Sequence, residues 1–146
     1  MTLPRATLRW ALFTGALNLV WEILQLPLYV VYVEGDPWTI AYVVAHCTAG
    51  DVMIAAATYL VAACATRSPR WIDARPLAGG ATAVIAGMSY TAFSEWLNVS
   101  ARGSWAYAAA MPQLFGIGLL PLLQWLVVPA AALYLLRTRR RSKGAD

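Results

Sequence analysis

Four long runs of apolar residues, separated by short polar connections, constrain this chain more than any other feature of its sequence. The runs cover about residues 10–33, 38–65, 77–99 and 114–136. Each is close to the roughly 20 residues that a helix needs to cross the hydrocarbon core of a membrane. Because lipid offers the backbone no hydrogen-bond partners, such runs fold as helices. The sequence therefore predicts an all-α, polytopic membrane protein, a single domain over residues 1–146 with four transmembrane helices in a bundle.

Composition supports this class. The chain is 60% hydrophobic and only 12% charged, whereas a soluble domain carries about twice that share of charge. The net charge of +4 comes mostly from basic residues at the ends of the apolar runs. Orientation in a membrane explains such residues better than a nucleic-acid partner does, so no nucleic-acid partner is expected.

The basic residues also predict the orientation. Arg5 and Arg9 precede the first run, arginines cluster within 67–75 between the second and third runs, and a basic tail, 137–146, follows the fourth. The opposite side has only Arg102. Positive charge collects on the cytoplasmic side, so both termini should be cytoplasmic. We expect a multi-pass protein of the cell's inner (plasma) membrane, with membrane lipid as its partner.

Aromatic residues fall near the predicted span limits. Trp38, Trp105 and Tyr107 lie at the outer boundary, and Trp10 and Trp71 at the inner one. Side chains with an apolar body and a polar tip are typical of the membrane interface. We therefore expect these residues to mark the interface.

Ionisable residues inside the apolar runs are the strongest functional signal. Glu22, Asp51, Glu95 and the single histidine, His46, all lie within runs that otherwise read as membrane helix. Such groups are costly at bilayer depth and persist mainly where they face a protein interior, pair together, or handle a substrate or proton. They predict an intramembrane polar site.

A polar stripe follows one face of the first run. Thr14, Asn18, Glu22, Gln25 and Tyr29 recur every three or four residues, which places them on one side of a helix. The stripe is either part of a binding site or a packing seam, since amides and hydroxyls also join membrane helices. Glu22 favours a binding site, because placing an acid in the membrane costs more free energy than placing the amides and hydroxyls that suffice for a packing seam.

The second run places His46 and Asp51 five residues apart. Five residues turn an ideal helix by about 140°, so the two side chains share a face only if the helix is distorted near Gly50. Otherwise they serve different neighbours, with His46 aligned with Tyr42. A buried histidine satisfied by one hydrogen bond is the alternative to a functional role for His46.

The third and fourth runs add further polar groups. Glu95 and Asn98 share a face, and Arg102 continues it beyond the outer boundary, so Glu95 is expected to reach water or pair with Arg102. Gln124, in the fourth run, is expected to face the same interior. The connection 100–112 either covers the mouth of the bundle or rests at the lipid interface, and we favour the interface.

The sequence lacks the motifs of several known kinds of functional site. A carboxylate di-metal site needs Glu-x-x-His motifs, which are absent. Zinc would require Glu22, His46 and Asp51 to converge. We therefore expect no metal and no cofactor. Motifs for a serine nucleophile, a phosphate loop or a dinucleotide are also absent.

Proton transfer fits these residues best. We expect a polar pocket, open toward the outer half, that binds a hydrophobic small molecule and transfers a proton on it. Glu22 would act as acid or base with His46 as its partner. A non-catalytic membrane subunit or assembly factor is the main alternative, and a proton-coupled carrier acting as a homo-oligomer is another, so enzymatic activity is left open. The expected substrate-binding residues are Gln25, Tyr29, Asp51, Glu95, Asn98 and Gln124.

Four blocks carry a resemblance to known proteins. They are the segments 21–29 (WEILQLPLY), 46–51 (HCTAGD), 94–98 (SEWLN) and 102–107 (RGSWAY). Together they resemble a group of small four-span bacterial membrane proteins, over nearly the whole chain, and this resemblance implies no activity. The chain is more loosely similar to sterol isomerases of the emopamil-binding type. No residue roles carry over from that family, because the motifs do not align position by position.

Overall fold

The computed structural model describes residues 2–142, which are mostly helical, and it confirms the all-α class. Two short strands, residues 113–114 and 117–118, form one antiparallel pair. In chain order the elements are α1 (Leu3–Gln25), a 3₁₀ turn (Leu26–Leu28), α2 (Val31–Glu34), α3 (Pro37–Ala65), α4 (Trp71–Ala74), α5 (Pro76–Glu95), a π-helical segment (Trp96–Ala101), β1 (Gln113–Leu114), β2 (Ile117–Gly118) and α6 (Leu119–Ser142).

The long helices pack in a closed order, in which α1 and α5 each lie against both α3 and α6. Trp10, near the start of α1, packs against Tyr59, near the end of α3, so these two helices run in opposite directions. Within residues 2–142, three helices are long and apolar enough to cross a membrane: Leu3–Leu28, Pro37–Ala65 and Leu119–Thr138. The helix α5, predicted as the third span, is not among them. Its glycine, serine and threonine residues lower its mean hydropathy.

The helix limits differ from the predicted runs mainly at proline residues. The first run was expected to continue to Val33, but α1 ends at Gln25. Pro27 follows at once, and proline has no N–H to donate and clashes with the preceding turn, so the chain changes to a 3₁₀ turn. The fourth helix begins later than expected, because residues 113–118 form the β1–β2 pair. The predicted basic tail begins inside α6, and residues 143–146 lie outside the described residues.

One end of the helices is covered by irregular structure. We call residues 102–118 the cap, and the end of the helices that it covers the cap end. The cap pairs with the segment after α1: the Val30 N–H donates to the Ala106 carbonyl at 3.0 Å, and the Ala108 N–H donates to the Leu28 carbonyl at 2.9 Å. The connection therefore folds over the helix ends.

The opposite end, which we call the basic end, is closed by aromatic packing. Trp10, Tyr59 and Trp71 are fully buried, and the Trp71 ring meets both of the others at a centroid distance of 5.2 Å. The Trp71 indole also donates to the Tyr59 carbonyl at 3.2 Å. Trp10 and Trp71, expected at the inner boundary, are enclosed by protein, because α4 packs against α5 and α6 and carries Trp71 inward. Trp38, at the cap end, is exposed as expected.

Candidate functional site

Gln124 of α6 lies at the centre of the interior polar groups. It is 2% exposed, and its Oε1 accepts a hydrogen bond from Gln25 Nε2 at 3.3 Å. Its Nε2 lies 2.8 Å from Asp51 Oδ2, 3.2 Å from Glu22 Oε1 and 3.3 Å from Asn18 Oδ1. One side chain of α6 thus joins the polar stripe of α1 to the acid of α3.

Glu22 and Asp51 form a carboxyl pair across the α1–α3 contact. The two carboxyl groups are within hydrogen-bonding reach of each other, and both touch the Gln124 amide. Gln25 donates a further bond to Glu22 at 2.9 Å. Asp51 is 8% exposed, whereas Glu22 keeps a partly exposed surface. The pair therefore has one buried member and one that reaches the surface of the helices.

The hydrogen bonds of this cluster cannot all be made at once. Gln124 Nε2 has two hydrogens and three acceptors in range, so at least one acceptor is left out in any arrangement. Nearby, the Nδ2 of Asn18, which is 1% exposed, has no partner within the described residues, and neither has Thr48 Oγ1. Buried polar groups are normally paired, and unpaired ones are informative. The cluster therefore leaves at least one donor and one acceptor without a partner within the described residues.

Glu95 forms a second polar group near the cap. It is 7% exposed and accepts a short hydrogen bond from the Tyr107 hydroxyl, whose oxygen accepts from the Gly118 N–H at 2.8 Å. The Trp105 indole is close to Glu95 but outside hydrogen-bond geometry. The expectation that Glu95 reaches water or pairs with Arg102 is wrong, because the cap covers Glu95 and leaves Arg102 exposed.

Tyr29 lies against Tyr107 and near both groups. Its ring lies 5.7 Å from that of Tyr107, and it is within electrostatic reach of both Glu95 and Glu22. Glu95 and Glu22 are also within electrostatic reach of each other. The structure therefore brings the three acids into one interior region.

Two predicted site residues lie apart from this region. His46 is exposed and stacks on Tyr42, with ring centroids 5.7 Å apart, as expected for an undistorted helix. Within the described residues, no hydrogen bond joins it to Glu22. Asn98 is half-buried, and its Nδ2 bonds to the Ser94 carbonyl of its own helical turn at 2.9 Å. The site roles expected for His46 and Asn98 stay predictions.

Sequence reasoning gave no site role to Asn18, Trp21 or Tyr107. The signal for Asn18 was present, since it shares the stripe of Glu22. Trp21 precedes Gln25 by one helical turn, and its indole donates to Gln25 Oε1 at 3.0 Å. Tyr107 could not be found in this way, because its contact with Glu95 depends on how the cap folds.

Neither metal-ligand geometry nor comparison with known proteins indicates what this protein does. Across residues 2–142, no group of three or more histidine, cysteine, aspartate and glutamate side chains is arranged to hold a metal ion. No family of proteins, no curated protein and no solved structure matches this chain. The resemblance to small four-span bacterial membrane proteins therefore stays a prediction, and function must be argued from the cluster itself.

Proposed function

We propose that this chain is a four-span inner-membrane protein with both termini cytoplasmic, and that its interior carboxyl pair binds a hydrophobic small molecule and transfers a proton on it. Three apolar helices support a multi-pass protein. The closed packing of α5 against α3 and α6 supports a fourth span in a bundle. The arginines at the basic end support the cytoplasmic termini.

The observation that carries the proposal is the contact between Glu22 and Asp51 through one amide. Two adjacent carboxylates in a low-dielectric interior repel each other strongly unless a cation or a proton lies between them. The groups around this pair are amides, another acid, a tyrosine and a cysteine. A shared proton is the simplest way to hold the two acids together, and a proton held in this way is available for transfer.

The unequal exposure of the pair assigns the roles. Glu22 reaches the surface of α1 next to Leu19 and Ile23, which are exposed apolar residues. A lipid-soluble molecule could therefore meet Glu22 from the bilayer without crossing water. In this proposal Glu22 exchanges the proton with the substrate, and buried Asp51 holds it between turnovers. Gln25 and Gln124 orient the two acids.

The substitution Glu22→Gln tests this function, with Glu34→Gln as the control, since Glu34 is an exposed acid outside the long helices. The first measurement is mass spectrometry of small molecules retained after mild purification. The second is the infrared carbonyl band of a protonated carboxyl group. We expect Glu22→Gln to lose both signals and Glu34→Gln to keep both. A folded Glu22→Gln protein that keeps both would overturn the proposal.

A non-catalytic subunit or assembly factor is the second candidate, favoured by the many bonds that Gln25 and Gln124 already make within the chain. In that case the cluster is a packing seam, and Glu22→Gln weakens assembly without removing a bound molecule. A proton-coupled carrier would use the same pair, and we expect such a carrier to work as a homo-oligomer. Uptake driven by a proton gradient in vesicles would identify it.

Membrane lipid is the proposed partner of the outward face of α1. Near the basic end, the surface of α1 presents Arg5 and Arg9 beside the apolar side chains of Leu8, Leu12, Phe13 and Ala16. Two guanidinium groups beside an apolar surface suit an anionic headgroup and its acyl chain.

A further inference from the structure

Tyr107 is held over Glu95 by contacts of its hydroxyl, its ring and the backbone next to it. Its hydroxyl donates to Glu95 and accepts from the Gly118 N–H at 2.8 Å. A side chain at position 118 would meet the Tyr107 ring, since a Cβ there would lie 3.0 Å from Cε1. The residues on either side of Tyr107 are bonded to the segment after α1 through the Val30 and Ala108 amides. The cap therefore seats one phenol directly on one buried acid.

The surroundings of Glu95 link it to the carboxyl pair. Tyr29 pairs with Tyr107 through an isolated β-bridge, with ring centroids 5.7 Å apart, and is within electrostatic reach of both Glu95 and Glu22. Among the three interior acids, Glu95 is thus the one that bonds to the cap. The titratable groups that face Glu95 from the elements packed around it are Tyr29, Glu22, Cys47, Asp51 and Tyr107.

We propose that Glu95 is the port through which protons reach the Glu22–Asp51 pair from the cap end, and that Tyr107 is its gate. This inference rests on the proposed function, because it supplies the proton that the pair transfers. A hydronium ion gives its proton to the Glu95 carboxylate and leaves as water. Glu95 then passes the proton to the pair near Tyr29 and returns to the carboxylate form.

The gate depends on the hydrogen bond between the Tyr107 hydroxyl and Glu95. The Tyr107 hydroxyl has one hydrogen, and its bond to Glu95 is strongest when Glu95 is ionised. Once Glu95 carries a proton, the carboxyl becomes a donor itself and the Tyr107 hydrogen loses its charged acceptor. The cap is then held less firmly. Proton uptake and loosening of the cap are therefore coupled, and the gate closes again when the proton moves inward.

Labelling of Glu95 in the full-length protein, reconstituted in vesicles, tests the gate. A water-soluble carbodiimide with glycine ethyl ester is applied at the cap end, and modified residues are mapped by mass spectrometry. We expect Tyr107→Phe to raise labelling of Glu95 by about tenfold, the effect of losing one hydrogen bond to a charged group. Tyr42→Phe, on an exposed tyrosine, should leave labelling unchanged. Wild-type labelling in folded Tyr107→Phe would overturn the gate.

Two further measurements keep the proposal testable if Tyr107→Phe fails to fold. In the unmodified protein, acidification should speed hydrogen exchange at the Val30 and Ala108 amides, and Glu95→Gln should abolish this pH dependence. After a pH drop at the cap end, the infrared band of protonated carboxyl groups should grow at least tenfold more slowly in Glu95→Gln than in the wild type. Its final intensity in Glu95→Gln should still be the intensity that the Glu22–Asp51 pair contributes. A wild-type rate in Glu95→Gln would overturn the port. Absence of any band from the pair in the wild type would instead overturn the proposed function.

Discussion

Gln124 is the residue on which the interior hydrogen bonds most depend. We expect Gln124→Leu, which keeps the size of the side chain, to lower the free energy of unfolding by about 1–3 kcal/mol, because it leaves Asp51 and Gln25 with fewer partners. The measurement is tryptophan fluorescence during unfolding in a denaturing detergent. Gln113→Leu, at an exposed position of β1, is the matched control and should change the unfolding free energy little.

If Gln124→Leu were as stable as the wild type, the amide would not hold the cluster together. Double-mutant cycles sharpen this test. Bonds between membrane helices contribute only about 0.6 kcal/mol on average, so a coupling between Gln124→Leu and Asp51→Asn well above that value would mark the 2.8 Å bond as unusually strong.

The individual site residues were predictable where helical spacing decides their position. The stripe through Glu22 and Gln25, and the inward placement of Gln124, follow from a 3.6-residue period and the cost of burying polar groups in lipid. The partner of Glu22 could not be chosen in this way. Asp51 and His46 face different sides of the same straight helix, and only the packing of α3 against α1 determines which one turns inward.

The close contact between α5 and α6 depends on Gly87, which has no side chain. A Cβ there would lie 2.1 Å from the buried Trp125 ring. We expect Gly87→Ala to lower the free energy of unfolding by about 1–3 kcal/mol, because a rigid indole must shift. Gly50→Ala is the matched control: it is also within a helix, but a Cβ there meets nothing within 4 Å. Its higher helix propensity should stabilise the protein by up to about 1 kcal/mol. Equal effects of the two would contradict this packing.

The start of α3 gives a prediction about pH. Bonds from the Thr39 hydroxyl and from the Thr39 and Trp38 amides lower the pKa of exposed Asp36 below its usual value of 3.8. A lowered pKa in the folded state stabilises the protein above the pKa of the unfolded chain, and that stabilisation is lost as the pH falls through the folded value. Asp36→Ala should therefore be less stable than wild type at neutral pH.

The difference between wild type and Asp36→Ala should shrink as the pH falls below 3.8. Unfolding curves of both proteins across this range measure it. Glu34→Ala removes a neighbouring exposed acid that does not cap α3, and its difference from wild type should be small at every pH. A gap for Asp36→Ala that stays constant with pH would count against the carboxylate as the cap.

The irregular elements show where sequence periodicity stops being informative. Periodicity and length predicted the long helices, because an apolar run in lipid must satisfy its own backbone. Periodicity carries no signal for the π-helical segment, the β1–β2 pair or the rest of the cap, all of which follow Glu95. The position of the cap also depends on hydrogen bonds to residues 28 and 30, which are distant in sequence. Burial of Glu95 was missed for this reason.

For the whole molecule, the main question is whether α5 crosses the membrane, and paired cysteine substitutions answer it. Ser68 and Ser104 lie in the connections on either side of α5, and serine to cysteine preserves size. With Cys47 and Cys64 first replaced by alanine, we expect a membrane-impermeant maleimide to label Ser104→Cys in intact cells. Ser68→Cys should react only after the cells are permeabilised, because the arginines around it predict a cytoplasmic connection. Labelling of both positions from the same side would mean that α5 does not cross, and it would exclude the four-span topology.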